Sequence, residues 1–235
     1  MTEDLRAIRD IMNSRHQSAC AKKGATMAQP RRRGRPRLVS VEQRQTDLLD
    51  AALELFLQQG IEATTIAQIA QRAGIASGTV YLYVESKEAL ISAVRARFRQ
   101  AMANEVASLI DRCDGPFAAL LDAIVDVSFD LQITYHRELD LFRRQVQPEA
   151  VRSLAESRRH AVAPFVQAIR RAVGRGEAAV PGGDPELLAY LISSAIEDAA
   201  YSCLTFGIPS DINALRMAAR EMAHKLLAPI AAPKP

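Results

Sequence analysis

Tryptophan is absent from this chain and cysteine nearly so, with Cys20, Cys113 and Cys203 its only thiols. Three cysteines this far apart make neither a disulfide framework nor a thiolate metal cage, so reduced thiols are expected. Glycine is scarce, at 11 in 235 residues, and runs of alternating β-branched residues are missing, which argues against a sheet. The opening MTEDLRAIRD has no apolar signal region. The most apolar stretch, Leu187 to Phe206, is broken by Glu197 and Asp198, which argues against a membrane span. A cytoplasmic location is therefore expected. Phosphate loop, glycine-rich nucleotide turn, zinc helix and nucleophile elbow are also missing, which speaks against an enzyme. His136 and His160 have no helical i, i+4 companion, so no metal is expected; no cofactor is assigned.

What is present suits an all-α fold, because Ala, Leu and Arg abound. The net charge is only +3, but the N-terminal third carries an arginine cluster while the rest is near balance. That asymmetry points to a nucleic-acid end and a neutral remainder. Residues 1–39 read as a flexible basic tail. Within it, Arg31, Arg32, Arg33, Arg35 and Arg37 surround Gly34 and Pro36, and so many guanidinium groups repel unless an anion lies between them. Gly-Arg-Pro between arginines is similar to the AT-hook, which lays arginines in a narrow A·T-rich minor groove; a solvated tail attracting phosphates is the blander alternative. MAQPRRRGRPR from Met27 would itself make an ordinary opening, leaving it open whether residues 1–26 belong to the native protein.

The most informative stretch is Thr64 to Leu90, TTIAQIAQRAGIASGTVYLYVESKEAL. Thr65 stands three residues before Gln68, a capping-box start. Ile66, Ile69, Ala70 and Ala73 share one helical face. Gly74 ends that helix, since glycine enters the left-handed conformation without a Cβ clash. A second short helix starts near Ser77, with Thr79, Tyr81 and Tyr83 outward and Val80 and Val84 inward. Two short helices around a glycine turn make the helix-turn-helix pattern, whose second helix enters the major groove.

AGIASGTVYLYVESKEAL resembles the signature of the tetracycline-repressor (TetR) family of bacterial regulators, through Ala73, Gly74, Gly78, Thr79, Val80, Tyr81, Tyr83, Ser86, Lys87, Glu88 and Leu90. Gln45 to Gly60 is similar to that family's first helix. Two departures stand out. Ala76 replaces the family's usual capping serine, so Ser77 is expected to cap one residue later. Val84 replaces a common phenylalanine, which should thin the packing onto the next helix.

The resemblance implies a three-helix DNA-binding domain over 40–86, a larger helical ligand-binding and dimerisation domain over 87–228, and a disordered end over 229–235. The expected DNA contacts are Arg33, Arg35, Arg37, Thr65, Ala67, Gln68, Ser77, Gly78, Thr79, Tyr81, Tyr83 and Lys87. Gly78 lets the backbone come close; the tyrosines offer phenols to phosphates. Tyr81 has packing against the first helix as its alternative role, and Lys87 a solvated surface position.

Along the rest of the chain, Ser40 with Gln43 opens the first helix as a second capping box. Ser86 caps a long helix towards Asp111. Helices follow over Phe117 to Tyr135, Glu138 to Gln145, and Pro148 to Gly174, the last kinked or divided at Pro164. Asp184 caps a helix that starts at Pro185 and ends at Phe206. The final helix is expected over Ser210 to Leu227. A helix apolar all round is buried on both faces; for Leu187 to Phe206 the second face is assigned to a partner subunit. Leu188, Leu191, Ile192, Ala195, Ala199, Leu215 and Met222 are the expected interface. Met102, Phe129, Tyr135, Phe142, Phe165, Glu197 and Tyr201 are the expected pocket. Glu197 and Asp198 need partners, either an arginine such as Arg143 or Arg144 or a cationic ligand.

The functional expectation is a ligand-responsive repressor. It binds a palindromic operator on double-stranded DNA as a homodimer and is released by a small-molecule effector. The rival is a constitutive or architectural DNA-binding protein without an inducer.

Overall fold

The structure, a computed structural model, describes residues 40–144 and 151–228, and these form nine helices and no strand. The first three are α1 (Val41–Gln59), α2 (Ile66–Ala73) and α3 (Ser77–Val80). The long α4 (Lys87–Arg112) leads into α5 (Phe117–Thr134) and the short α6 (His136–Arg143). The chain ends with α7 (Val151–Gly174), α8 (Pro185–Phe206) and α9 (Ile212–Leu227).

Helix starts follow local chemistry. The Thr65 hydroxyl accepts from the Gln68 N–H while the Gln68 side chain accepts from the Thr65 N–H at 2.8 Å, a complete capping box. Ser86 and Asp184 cap α4 and α8 as their sequence contexts predict. Gly74 has φ 69°, the left-handed cap that ends α2.

Other boundaries differ. Ser40 caps α1, but Gln43 donates its amide to Asp47 at 2.8 Å, so the box expected there is half formed. Ala76, not Ser77, is the cap residue of α3, and no side chain caps that helix. Tyr135 ends α5 and also precedes α6, so α6 begins two residues before the expected Glu138. The expected end of that helix, Gln145, lies outside the described residues. Helix α7 runs unbroken through Pro164; Phe165, Val166, Ala168 and Ile169 beside it are buried, and that packing holds the two halves together. Asp211 rather than Ser210 opens α9, because its carboxylate accepts from the N–H groups of Asn213 and Ala214.

Two hydrophobic clusters form. The head cluster joins α1, α2 and α3 to the start of α4, through residues such as Leu48, Phe56, Ile69, Val80, Leu90 and Val94. Phe142 of α6 belongs to it as well. The body cluster joins the end of α4 to α5, α7, α8 and α9, around Phe129, Phe165, Ile169, Ile192 and Ala223. Helix α4 is thus common to both.

Helix α8 buries one stripe in the body: Leu188, Ala189, Ile192, Ile196, Ala200 and Cys203. This corrects the assignment of Leu188 and Ile192 to a subunit interface, because both are core residues of one chain. Leu191 and Ala195 are exposed, with Leu187, Tyr190, Phe206 and Met217 exposed beside them in the fold or sequence. Ala199, Leu215 and Met222 are half-buried, and Leu215 packs on the body cluster. By length and composition α8 could span a membrane, but its inner stripe is body core.

Candidate nucleic-acid interface and body cavity

The three helices of the head are tied to one another and to α4 by side-chain contacts within the chain. The buried Thr64 hydroxyl donates to the Gly60 carbonyl at 2.7 Å and ties the α1–α2 turn. Arg72 of α2 pairs through two nitrogens with Glu54 of α1. Arg97 of α4 donates to the Thr46 carbonyl at 3.0 Å and pairs with Asp50, both on α1. Val80 is fully buried under α3 and anchors it.

On this base Thr65, Ala67, Gln68, Ser77, Gly78, Tyr81 and Leu82 are exposed. The first residues of two helices therefore face solvent, where N–H groups and short polar side chains suit phosphates and base edges. A Cβ at Gly78 would meet nothing within 4 Å, so no packing among the described residues requires glycine there. The Gln68 oxygen is consumed by Thr65 and by Gln59, at 3.2 Å from the latter's amide. What Gln68 can offer DNA is its own N–H groups.

The two tyrosines, both expected to face outward, differ. Tyr81, for which packing on the first helix was the alternative, is 57% exposed. Tyr83 is half-buried and packs on the head cluster, which leaves its hydroxyl as its functional end. Val84 packs there too. The helical turn continues past Val80, whose carbonyl accepts from the N–H groups of Tyr83 and Val84. Residues two apart on such a turn lie on different faces, so Tyr81 and Tyr83 do not share one outward face. Leu82, 82% exposed, joins the surface. Thr79 is half-buried, and the half-buried Lys87 ammonium donates to the Glu62 carbonyl at 3.4 Å. Arg33, Arg35 and Arg37 lie outside the described residues.

The body holds a cavity of about 530 Å³ between α4, α5, α6, α7 and α8. Of the residues named from sequence for a pocket, Met102, Phe165 and Glu197 line this cavity. Phe129, Tyr135, Phe142 and Tyr201 do not. Phe129 is sealed in the body cluster and Phe142 in the head cluster. Tyr135 meets Phe98 edge-on at 5.5 Å. Tyr201 donates to Asp140 at 3.0 Å and lies under the Arg143 guanidinium, 4.0 Å from its ring centre.

The acids of α8 find arginines. Asp198 pairs with Arg143 at 3.3 Å, while Glu197 pairs with Arg158 at 2.9 Å. Arg144, the other expected partner, binds Asp140 instead. The Arg158 pair was missed because nothing in the spacing brings α7 to α8. Arg99, a third guanidinium on the wall, was missed for the same reason. Burial lowers its pKa, and Glu197 opposes that shift.

The geometry of the head matches a known family. A model described as "Bacterial regulatory proteins, tetR family" matches residues 48–94. The HTH-type transcriptional repressor KstR2 of Rhodococcus jostii is 32% identical over 108 residues, covering 44% of this chain and 50% of that protein. The chain spans about half the length of the curated relatives it matches. The regulator FadR from Bacillus subtilis, solved in complex with stearoyl-CoA, superposes with a TM-score of 0.61 at 21% identity, over 79% of this chain and 98% of that one. SmeT, the Stenotrophomonas maltophilia efflux-pump repressor, solved with triclosan, gives 0.61 at 21% identity, over 82% and 98%. These structures share the fold of head and body alike. Residues 48–94 of this chain thus match the domain that defines the tetR family of bacterial regulatory proteins.

Proposed function

We propose that the protein is a ligand-responsive transcriptional repressor of the cytoplasm that binds a palindromic operator as a homodimer and is released by a small molecule. The observation that carries this reading is the construction of α4 and α6. Helix α4 gives Leu90, Ile91 and Val94 to the head cluster and Arg99, Met102, Ala103 and Val106 to the cavity wall. Helix α6 gives Phe142 to the head cluster and its neighbour Arg143 to the wall. Helix α4 therefore has one end in the DNA-reading unit and its later turns against a space of ligand size, while α6 meets both at its C-terminal end. A ligand that favours one packing of these helices shifts the head by no more than its differential affinity for the two states.

Thr65, Gln68, Ser77, Gly78, Thr79, Tyr81, the Tyr83 hydroxyl and Lys87 are the proposed DNA contacts, with Ala67 and Leu82 on the same surface. The arginines at 33, 35 and 37 supply attraction to the backbone. The exposed apolar side of α8, with Leu191 and Ala195, and the outer side of α9 supply the subunit contact; two-fold pairing gives two heads the symmetry of a palindrome.

The test is operator selection followed by footprinting of the full chain. A palindromic footprint, lost on addition of compounds that raise the melting temperature, supports the reading. Broad coating of A·T-rich DNA, indifferent to every stabilising compound, replaces it with the architectural alternative.

A further inference from the structure

The cavity has a charged end and an apolar end. On α4, Arg99 is followed along one face by Met102, Ala103 and Val106; on α7, Arg158 is followed by Ala161, Val162 and Phe165. Both helices thus grade from guanidinium to hydrocarbon over two turns. The charged ends coincide, because Arg99 feels the fields of Arg143, Arg158 and Glu197 together.

Among the described residues that line that end, the charges do not cancel. Three guanidiniums, of Arg99, Arg143 and Arg158, face two carboxylates, of Glu197 and Asp198, which leaves one positive charge over. Two of the three are committed. Arg158 donates to Glu197 at 2.9 Å and Arg143 to Asp198 at 3.3 Å. Arg143 also donates to the Glu197 carbonyl, and Arg158 to the Ser194 hydroxyl, each at 3.4 Å. Arg99 forms no ion pair or hydrogen bond among the described residues. It stays protonated in any protein environment, and Glu197, whose field it feels, is already paired with Arg158, so its half-burial is only partly compensated. The structure therefore provides a planar five-donor fork with no hydrogen-bond acceptor among the described residues, on the wall of a partly apolar chamber.

Resting on the ligand-responsive reading above, we propose that the effector is an amphipathic monoanion, a carboxylate with a hydrocarbon body, and that Arg99 receives its carboxylate. The body of the ligand lies against Met102, Val106, Ile124, Val162 and Phe165. One added negative charge balances the end of the cavity, and the carboxylate matches the guanidinium fork. A cationic effector, which the acids on α8 had left open, would meet a site already in positive excess.

The experiment uses two pairs of probes that differ only in charge: decanoate with decanol, and 4-phenylbutyrate with 4-phenylbutanol. Binding to the full-length protein is measured by calorimetry below any micellar concentration. At least one carboxylate should bind tighter than its alcohol by about tenfold or more, the scale of one charge-assisted hydrogen-bonded contact. Arg99→Gln should abolish that preference and leave alcohol binding within about twofold. Equal binding within both pairs, no binding of either carboxylate, or a preference that survives Arg99→Gln overturns the proposal. The ligand-free protein gives a second measurement. Arg99→Met should hold or raise the melting temperature, because it removes a charge that is only partly compensated. A large fall, or failure to fold, shows that Arg99 serves the structure and overturns the proposal as well. Operator affinity keeps the two readings apart. A carboxylate that binds through Arg99 without changing DNA affinity sinks the effector reading alone. Release of the operator by a neutral compound, with no carboxylate binding, sinks this proposal alone.

Discussion

The head and the body are both packed from helices, yet one is sealed and the other hollow. No buried residue of the head cluster touches the cavity, whose walls come from the latter part of α4 and from α5 to α8. The head spends its apolar residues on fixing two short helices: Ile69 and Val80 are fully buried in helices of eight and four residues. Helices this short have little stability of their own, so an accurate DNA-reading surface requires tight packing beneath it. The body has long helices and tolerates a void. What it gains is a space with charge at one end, between elements that also reach the head.

The largest expected effect tests that division. Phe142→Ala should cost about 3–5 kcal/mol, the usual range for a buried aromatic, because Phe142 fills the head cluster from α6. Met102→Ala, on the wall of an existing void, should cost below about 2 kcal/mol, since fewer packed neighbours are lost. Urea unfolding of both variants makes the comparison. Equal costs would mean that the body is packed as tightly as the head and that the cavity closes in solution.

The second effect sharpens the contrast between the two tyrosines. Tyr81→Ala should weaken operator binding about 3- to 10-fold, the scale of one or two net hydrogen bonds, with the melting temperature unchanged. Tyr83→Ala should lower the melting temperature because its ring packs on the head. Tyr83→Phe should keep the fold and report the hydroxyl alone. Gel-shift titrations beside thermal melts separate these outcomes. A structural loss in Tyr81→Ala with none in Tyr83→Ala would reverse the placement of the two rings.

The tail offers a third contrast, since arginines 31–37 act by charge and α3 by shape. Replacing those five arginines with glutamine should flatten the salt dependence of binding by about 0.9 per lost phosphate contact. Thr79→Ala should reduce affinity and leave the salt slope unaltered. An unchanged slope in the glutamine variant would show that the tail does not touch DNA.

Local chemistry explains which features the sequence displayed. The caps at Thr65, Ser86 and Asp184 and the left-handed Gly74 depend on residues within one turn, so their spacing was enough. The outward face after α3 was less legible, because it was drawn with a two-residue spacing that a helical turn does not keep, and the inward packing of the Tyr83 ring depends on the assembled head. The cavity was harder still. Aromatic residues were natural candidates for its wall, yet Phe129 and Phe142 fill the two cores. The charged wall, Arg99 and Arg158 with Glu197, comes from three helices whose proximity is a property of the packed bundle. An arginine on an otherwise apolar face, as in Arg99-Met102-Val106, is the one signal that could have pointed there.

The smallest expected effect concerns how the body is held together away from both sites. Helix α5 begins at Pro116 with no side-chain cap of its own. Glu177, in the turn after α7, supplies one from a distance: its carboxylate accepts the Phe117 N–H at 2.7 Å and also pairs with Arg175. The Arg175 hydrogen bond, helped by the Phe117 N–H, holds the Glu177 carboxyl below the usual carboxylate range. Because the folded-state pKa is depressed, the stabilisation is complete above the ordinary glutamate range. It is lost as pH falls through the depressed folded value, once the carboxyl protonates in both states. Glu177→Gln should therefore melt slightly earlier than the parent at neutral pH, and the gap should close in acid. The head should be unaffected, since Glu177 touches only body elements, so operator affinity at neutral pH should match the parent. A gap that persists unchanged at pH values well below the glutamate range would mean that the carboxylate charge plays no part in joining α7 to the start of α5.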